Sequence, residues 1–232
     1  MQASSDFSSE THWEMAAKTK MGKYLTRLET GFISKSIDLS QKNLSVMDVG
    51  AEAGRFSLLP QNSKAQVVSI DINAYALRRL KQKSRHVNII LADARNLPLK
   101  GGVFDIVFMI EVLDYIPELG LALGECRRTL KPGASAVLSF GNKSSIKARL
   151  KAMQGKSYRH SYGEMIRCLS KTEFIIKRKL GYSWLPLGRT SQSSIVPAFA
   201  ALEKIFGLRR IVRYSPWVIM HITRPSQTIE HV

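Results

Sequence analysis

The chain has 232 residues, enough for one domain with a sizeable core, and its hydrophobic content of 44% is ordinary for a soluble globular protein. No uncharged apolar run approaches the roughly 18 residues of a spanning helix, Met1 to Glu10 lacks the basic start of a secretory signal, and Cys126 and Cys168 are too few for a disulfide framework, so a cytoplasmic protein is expected. The formal net charge of +17 is uneven, because residues 142–232 hold 17 Lys/Arg against 4 Asp/Glu; a polyanionic partner is weighed against a merely solvated basic surface.

Thr11-His12-Trp13-Glu14 has the form of a capping box, so a helix is expected from there toward Ile37, with a break near Gly22. Leu44 to Gly50 reads as an apolar strand running into a loop with glycines at 50 and 54. Arg55 to Leu59 then reads as the opening of a helix or as a helical turn, and Pro60-Gln61-Asn62 as a turn. Gln66 to Ile72 is the second strand, and Asn73 can cap a helix from Ala74 to Ser84 whose outer face is basic. Val87 to Ala92 is the third strand. After the turn Lys100-Gly101-Gly102, the run Val103 to Ile110 is apolar except for Asp105, as expected of a strand buried on both faces. A loop from Glu111 to Pro117, a helix to Leu130, Lys131-Pro132-Gly133 and a strand from Ser135 to Phe140 follow. This alternation indicates a parallel, doubly wound sheet.

Beyond Gly141, Lys143 to Gln154 reads as a basic helix, and Ser161-Tyr162-Gly163-Glu164 as a second capping box opening a helix to Leu169. Glu173 to Tyr182 and Trp217 to Arg224 read as the last two strands. Between them, Phe199, Leu202, Ile205 and Phe206 can share one helical face among Lys204, Arg209, Arg210 and Arg213. Pro197 to Arg213 is therefore the expected lid or membrane-facing element.

Three successive strand ends carry Gly50, Asp71 and Asp93, and ligands of open α/β sheets bind at the carboxyl ends of strands. Neither the dinucleotide G-x-G-x-x-G nor a P-loop is present. The pieces Val46-Met47-Asp48-Val49-Gly50-x-x-x-Gly54-Arg55, Asp71-Ile72, Ala92-Asp93-Ala94 with Leu97-Pro98, Phe104-Asp105-Ile106-Val107, Glu111-Val112-Leu113 and Leu130-Lys131-Pro132-Gly133 occur in one order. In this they resemble the class I S-adenosylmethionine (SAM)-dependent methyltransferases, in the type 11 branch that includes ubiquinone/menaquinone C-methyltransferases.

The resemblance implies a three-layer Rossmann-like α/β fold with a mostly parallel seven-stranded sheet and an antiparallel C-terminal edge strand. It divides the chain into an N-terminal helical cover (1–43), a SAM-binding core (44–142) and a basic C-terminal part of the same domain (143–232). The cofactor-binding set it implies is Asp48, Gly50, Ala51, Glu52, Gly54, Asp71, Ile72, Asp93, Ala94 and Glu111. Asp71 can accept from the ribose hydroxyls and Asp93 from the adenine amino group, with the Ala94 N–H donating to the ring. Gly50 and Gly54 let the backbone approach the methionine moiety, while Asp48 orients that loop or accepts from the α-ammonium. Glu111 lines the cofactor site.

Glu52 is a departure, since the family usually has glycine there and a side chain can crowd the cofactor. N-terminal helices lean over the cofactor in the family, which makes Tyr24 and Arg27 candidates for contact, although a covering helix with Leu25 and Leu28 inward is preferred. The Asn/Asp-Pro-Pro-Tyr/Phe element of amino-group methyltransferases is absent. His160 is the candidate general base, weighed against a structural loop histidine. Glu164 is better explained as the capping partner of Ser161, and Tyr115 stands where family members often carry His and can face substrate. No metal is expected. The first reading of the acceptor is a small apolar or lipid-like molecule, with peripheral contact to an anionic membrane. RNA is the second reading, and a non-catalytic binding protein on the same scaffold is the third.

Overall fold

A computed structural model describes residues 10–60, 64–152, 159–184 and 187–226 of the chain. Its strands are β1 (Ser45–Val49), β2 (Gln66–Asp71), β3 (Asn88–Leu91), β4 (Phe104–Met109), β5 (Leu130–Gly141), β6 (Ile175–Tyr182) and β7 (Trp217–Thr223). They form one sheet in the order β3-β2-β1-β4-β5-β7-β6. The first five run parallel, and β7 is antiparallel to both β5 and β6. The last strand in sequence thus inserts between β5 and β6, which leaves β6 as the sheet edge.

Neighbouring residues of a strand point to opposite faces, and here both faces are covered. Met47, Val107 and Met109 face a cluster with Leu123 and Cys126 of α4 (Leu119–Thr129) and Met165 of α6 (Tyr162–Lys171). Val46, Ile106 and Phe108 face the other cluster, with Leu25 and Ile33 of α2 (Lys20–Ser36) and Leu80 of α3 (Ala74–Lys83). Each such buried side chain stabilises the fold by about 1.5–3 kcal/mol relative to exposure. Both capping boxes form, at Thr11/Glu14 and Ser161/Glu164, and Asn73 caps α3.

The N-terminal helix breaks at Thr19, not at Gly22. Thr19 ends α1 (His12–Lys18) and caps α2, donating its hydroxyl to Ala16 O at 2.7 Å and accepting from Gly22 N–H at 3.0 Å. Gly22 lies inside α2, where a Cβ would overlap the Ala16 carbonyl, so this glycine serves the close approach of the two helices. Of the helix or helical turn expected from Arg55 to Leu59, the structure has the turn: residues 52–58 form turns, Leu58 N–H donates to Gly54 O at 3.3 Å, and Glu52 and Gly54 stand at positive φ. Of the expected turn at 60–62, Gln61 and Asn62 lie outside the described residues. β5 starts already at Leu130, and its register against β4 shifts between Phe104 and Ile106 to accommodate Lys131–Gly133. The expected basic helix is α5 (Ile146–Ala152); Gln154 lies outside the described residues.

The segment between β6 and β7 contains α7 (Val196–Ile205) and two short 3-10 turns, Leu208–Arg210 and Val212–Tyr214. The buried residues of α7 are Val196 and Glu203, while the apolar face of Phe199, Leu202, Ile205 and Phe206 stands in solvent. Glu203 sets this orientation. Its carboxylate accepts from the Tyr24 hydroxyl on α2 and, at 2.7 Å, from Trp184 N–H after β6.

Candidate active site

In the sheet order, β2 and β3 lie on one side of β1, and β4 and β5 on the other. The crevice at the carboxyl ends of β1 and β4 is thus the place where such sheets take ligands. A cavity of about 1030 Å³ lies there, lined by the loops after β1, β2, β3 and β4 and roofed by residues 10–18 around α1. That is at the top of the range of about 300–1,000 Å³ typical for small-molecule sites.

The floor is the loop after β1. Gly50 (φ +73) and Gly54 (φ +88) need the left-handed backbone region, and a Cβ on Gly54 would overlap Leu80 Cδ1. Glu52 shares that region at φ +49, but its side chain folds back so that the carboxylate accepts from Ala53 N–H. Its own N–H donates to Asp71 Oδ2 at 2.8 Å, and Asn73 N–H donates to Asp71 Oδ1 at 2.8 Å. A carboxylate offers about four acceptor positions, so Asp71 keeps capacity on both oxygens.

Gly50, Ala51, Glu52, Gly54, Asp71, Ile72, Asp93, Ala94 and Glu111 all line the cavity. Asp48 does not: it is buried beneath the loop, accepting from Ser57 Oγ at 2.6 Å. Burial pushes its carboxyl up to about 6, only partly offset by Ser57. Of the two alternatives weighed for Asp48, the geometry is that of a loop-orienting residue. Asp93 is half-buried and chelated by Arg95, whose guanidinium also reaches Glu118 Oε2 at 2.7 Å. The Arg95 hydrogen bonds hold the Asp93 carboxyl below its usual range.

Tyr24 and Arg27 are not on the wall: Tyr24 is engaged by Glu203, and Arg27 points to solvent. Their place is taken by Thr11, His12, Trp13 and Glu14, to which the sequence reading gave only a capping role or none. Glu14 clamps this roof to α3, accepting from Arg79 Nε at 2.8 Å and pairing with Lys83 Nζ at 2.6 Å. Burial alone would raise its pKa, but Arg79, Lys83 and the Thr11 N–H hold it at about 2.

His160 is also off the wall. It is buried, and its Nε2 lies 3.1 Å from Leu113 O and 2.8 Å from Ile116 O. Both partners are carbonyls, so Nε2 carries the hydrogen and pins the loop after β4. That is the placement of a positioning residue and not of a base facing substrate. Tyr115, by contrast, lines the cavity mouth and is largely exposed.

At the far end of the wall lies a charge network absent from the sequence reading. Arg55 Nη2 is 3.3 Å from Glu29 Oε2 and 3.2 Å from Glu111 Oε2, and Arg189 contacts the same Glu111 oxygen. Arg189 also stacks on Trp217, with 4.0 Å to the ring centroid. Glu29 is fully buried on α2 and accepts from Tyr182 Oη at 2.8 Å. Burial and then the Glu111 charge push its carboxyl up to about 8. Glu111 goes down, because Arg189 and Arg55 outweigh its own burial. The two carboxyls therefore titrate as a coupled pair in which Glu29 holds a proton more tightly than Glu111.

The sign of the linkage follows from the raised Glu29. The folded state keeps a proton there that the unfolded chain releases near 4.5, so stability falls as pH rises from about 4.5 to about 8. Glu29→Gln is expected to remove this slope, with melting temperatures of parent and variant diverging in favour of the variant toward pH 8. Parallel melting curves across that range would contradict the shared proton.

A methyltransferase-domain family, type 11, matches residues 47–138. The ubiquinone biosynthesis O-methyltransferase of Coxiella burnetii is 25% identical over 174 residues, covering 70% of this chain and 73% of that protein. That of Pseudomonas paraeruginosa is 30% identical over 154 residues, covering 63% and 64%. Among solved structures, the geranyl diphosphate C-methyltransferase of Streptomyces coelicolor, in complex with S-adenosyl-L-homocysteine, superposes with a TM-score of 0.64 at 14% identity, covering 85% of this chain and 75% of that one. Residues 47–138 thus match a type 11 methyltransferase domain, and the chain as a whole is similar in sequence and fold to SAM-dependent methyltransferases.

Proposed function

We propose that the chain transfers the methyl group of SAM to a small acceptor with an apolar, lipid-like body. The observation that carries this is the mixed composition of the cavity wall, which joins polar backbone and carboxylates, Gly50 to Gly54, Asp71 and Asp93, with the apolar bodies of Trp13, Leu58, Val112, Tyr115 and Ile116. The names of the similar proteins, which concern ubiquinone biosynthesis and geranyl diphosphate, support an acceptor of this kind.

In this reading Asp71 accepts from the ribose hydroxyls. Ile72 and Ala94 flank the adenine, and Asp93 accepts from its amino group while held by Arg95. Glu52 does not crowd the cofactor, because its carboxylate is folded back on its own loop. SAM supplies an electrophilic methyl group on a sulfonium. The protein's part is to hold the acceptor in line with it and to set the charge around it, which can supply several kcal/mol of the barrier. Glu111 places a carboxylate on the wall, and His160 keeps the loop that carries it in position.

Incubation with methyl-labelled SAM, a lipid extract and total RNA tests the reading. Label in the lipid fraction is expected. Label in RNA would favour the second acceptor class, which the net charge of +13 over residues 142–232 motivates. SAM binding with label in neither fraction would contradict the lipid-like acceptor and favour a non-catalytic role.

A further inference from the structure

α7 exposes what most helices bury. Ile205 and Phe206 are 74% and 69% exposed, and Ile195, Phe199, Leu202 and Ile211 are exposed beside them. A contiguous apolar face of this kind marks an interaction site more often than chance exposure. The orientation is enforced, because Glu203 is held inward by Tyr24, by Trp184 N–H and by Arg209 at 3.8 Å. Turning the apolar face inward would bring that carboxylate out and break all three.

The charges around the face have one sign. Lys204, Arg210 and Arg213 are exposed on or next to it. Between Leu187 and Ser226, Glu203 is the only Asp or Glu, and it is buried. The exposed surface of this segment therefore carries cations and hydrocarbon but no carboxylate. A second copy of the chain would bring cations against cations, and a nucleic acid has no use for Ile205 and Phe206. An anionic lipid surface matches both features, with the apolar side chains entering the headgroup boundary and the basic ones meeting phosphates.

We infer that the exposed face of α7 and the following turns docks the protein on an anionic lipid bilayer. The segment leading into α7 carries Arg189, which contacts Glu111 on the cavity wall, so docking sets the membrane beside the methyl-transfer cavity. The purpose of docking rests on the proposed lipid-like acceptor. The binding itself does not, and it is measured without any methyl transfer.

The test is co-sedimentation of the full chain with vesicles of phosphatidylcholine alone and of phosphatidylcholine with phosphatidylglycerol. The parent is expected to partition onto the mixed vesicles, more weakly onto phosphatidylcholine, and less as salt is raised. Ile205→Glu with Phe206→Glu is expected to lower partitioning by roughly tenfold or more. Arg210→Glu with Arg213→Glu should lower it only on the phosphatidylglycerol vesicles. Melting temperature and SAM affinity should be unchanged in both variants, which separates lost docking from misfolding and from failure of the cofactor site. A parent that stays in the supernatant, or variants that partition like the parent, would overturn the inference. So would a parent dimer that dissociates in the Phe206→Glu variant, since the face would then belong to a second copy.

Discussion

Gly50→Ala is expected to destabilise the protein by about 2–5 kcal/mol and to abolish tight SAM binding. Two effects add. A residue with a Cβ in the left-handed region costs about 1–2 kcal/mol, and Gly50 sits at φ +73. The new Cβ would also lie 2.5 Å from Val112 Cβ, and forcing atoms into such a contact costs typically 1–3 kcal/mol. Val112 has little room to yield. The preceding residue, Glu111, donates its N–H to Ser139 Oγ at 2.9 Å, and Val112 O accepts from Tyr115 N–H at 3.0 Å. Relief of the clash would push apart the loops after β1 and β4, which are two walls of the cavity. Gly102→Ala is the control, since Gly102 has a similar φ of +67 with nothing within 4 Å of a built Cβ. Denaturant unfolding of the two variants should differ by the clash alone. Equal midpoints would mean that Val112 does not press on Gly50.

The sheet was largely legible in the chain because parallel strands buried on both faces are near-continuous apolar runs, as in Val46–Val49 and Ile106–Met109. What failed depended on contacts between distant residues. Gly22 reads as a helix breaker, yet it is a point of contact between helices, and the break belongs to a threonine that can bond in both directions. The pattern of α7 marks its apolar face but not where that face points. The deciding bond joins Glu203 to Tyr24, 179 positions away.

The strand-end part of the cavity wall was legible for a related reason: strand ends in a parallel sheet converge, so Gly50, Asp71 and Asp93 meet whatever the intervening helices do. Asp48, expected either to orient the loop or to accept from the α-ammonium, lies at the end of β1 beneath the loop, because its hydroxyl partner Ser57 sits inside. The roof and the charge network were not legible. Trp13 and Glu14 reach the cavity only because α1 is clamped to Arg79 and Lys83. Glu29 meets Tyr182 across 153 positions, and Arg189 meets Glu111 across 78. No local periodicity encodes such pairings.

The proposed role of Asp71 is to hold the ribose of SAM. Its two oxygens each accept one backbone N–H, from Glu52 and Asn73, and thus face the cavity already oriented and with lone pairs to spare. A hydrogen bond to a charged group contributes about 1.5–3 kcal/mol. Asp71→Ala should therefore weaken binding of SAM and of its demethylated product alike by roughly 10- to 100-fold, at about 1.4 kcal/mol per decade. Asp93→Ala should weaken it by less than roughly tenfold, because Arg95 already occupies both carboxylate oxygens. Some stability is lost with Asp71 as well, since two backbone N–H groups lose their acceptor, so each variant must first be shown to be folded by its melting curve. Calorimetric titration of SAM into parent and Asp71→Ala is then the deciding measurement. Saturable binding by the parent and a 10- to 100-fold weaker Kd in the folded variant are predicted; a folded Asp71→Ala protein that binds SAM as tightly as the parent would contradict the site.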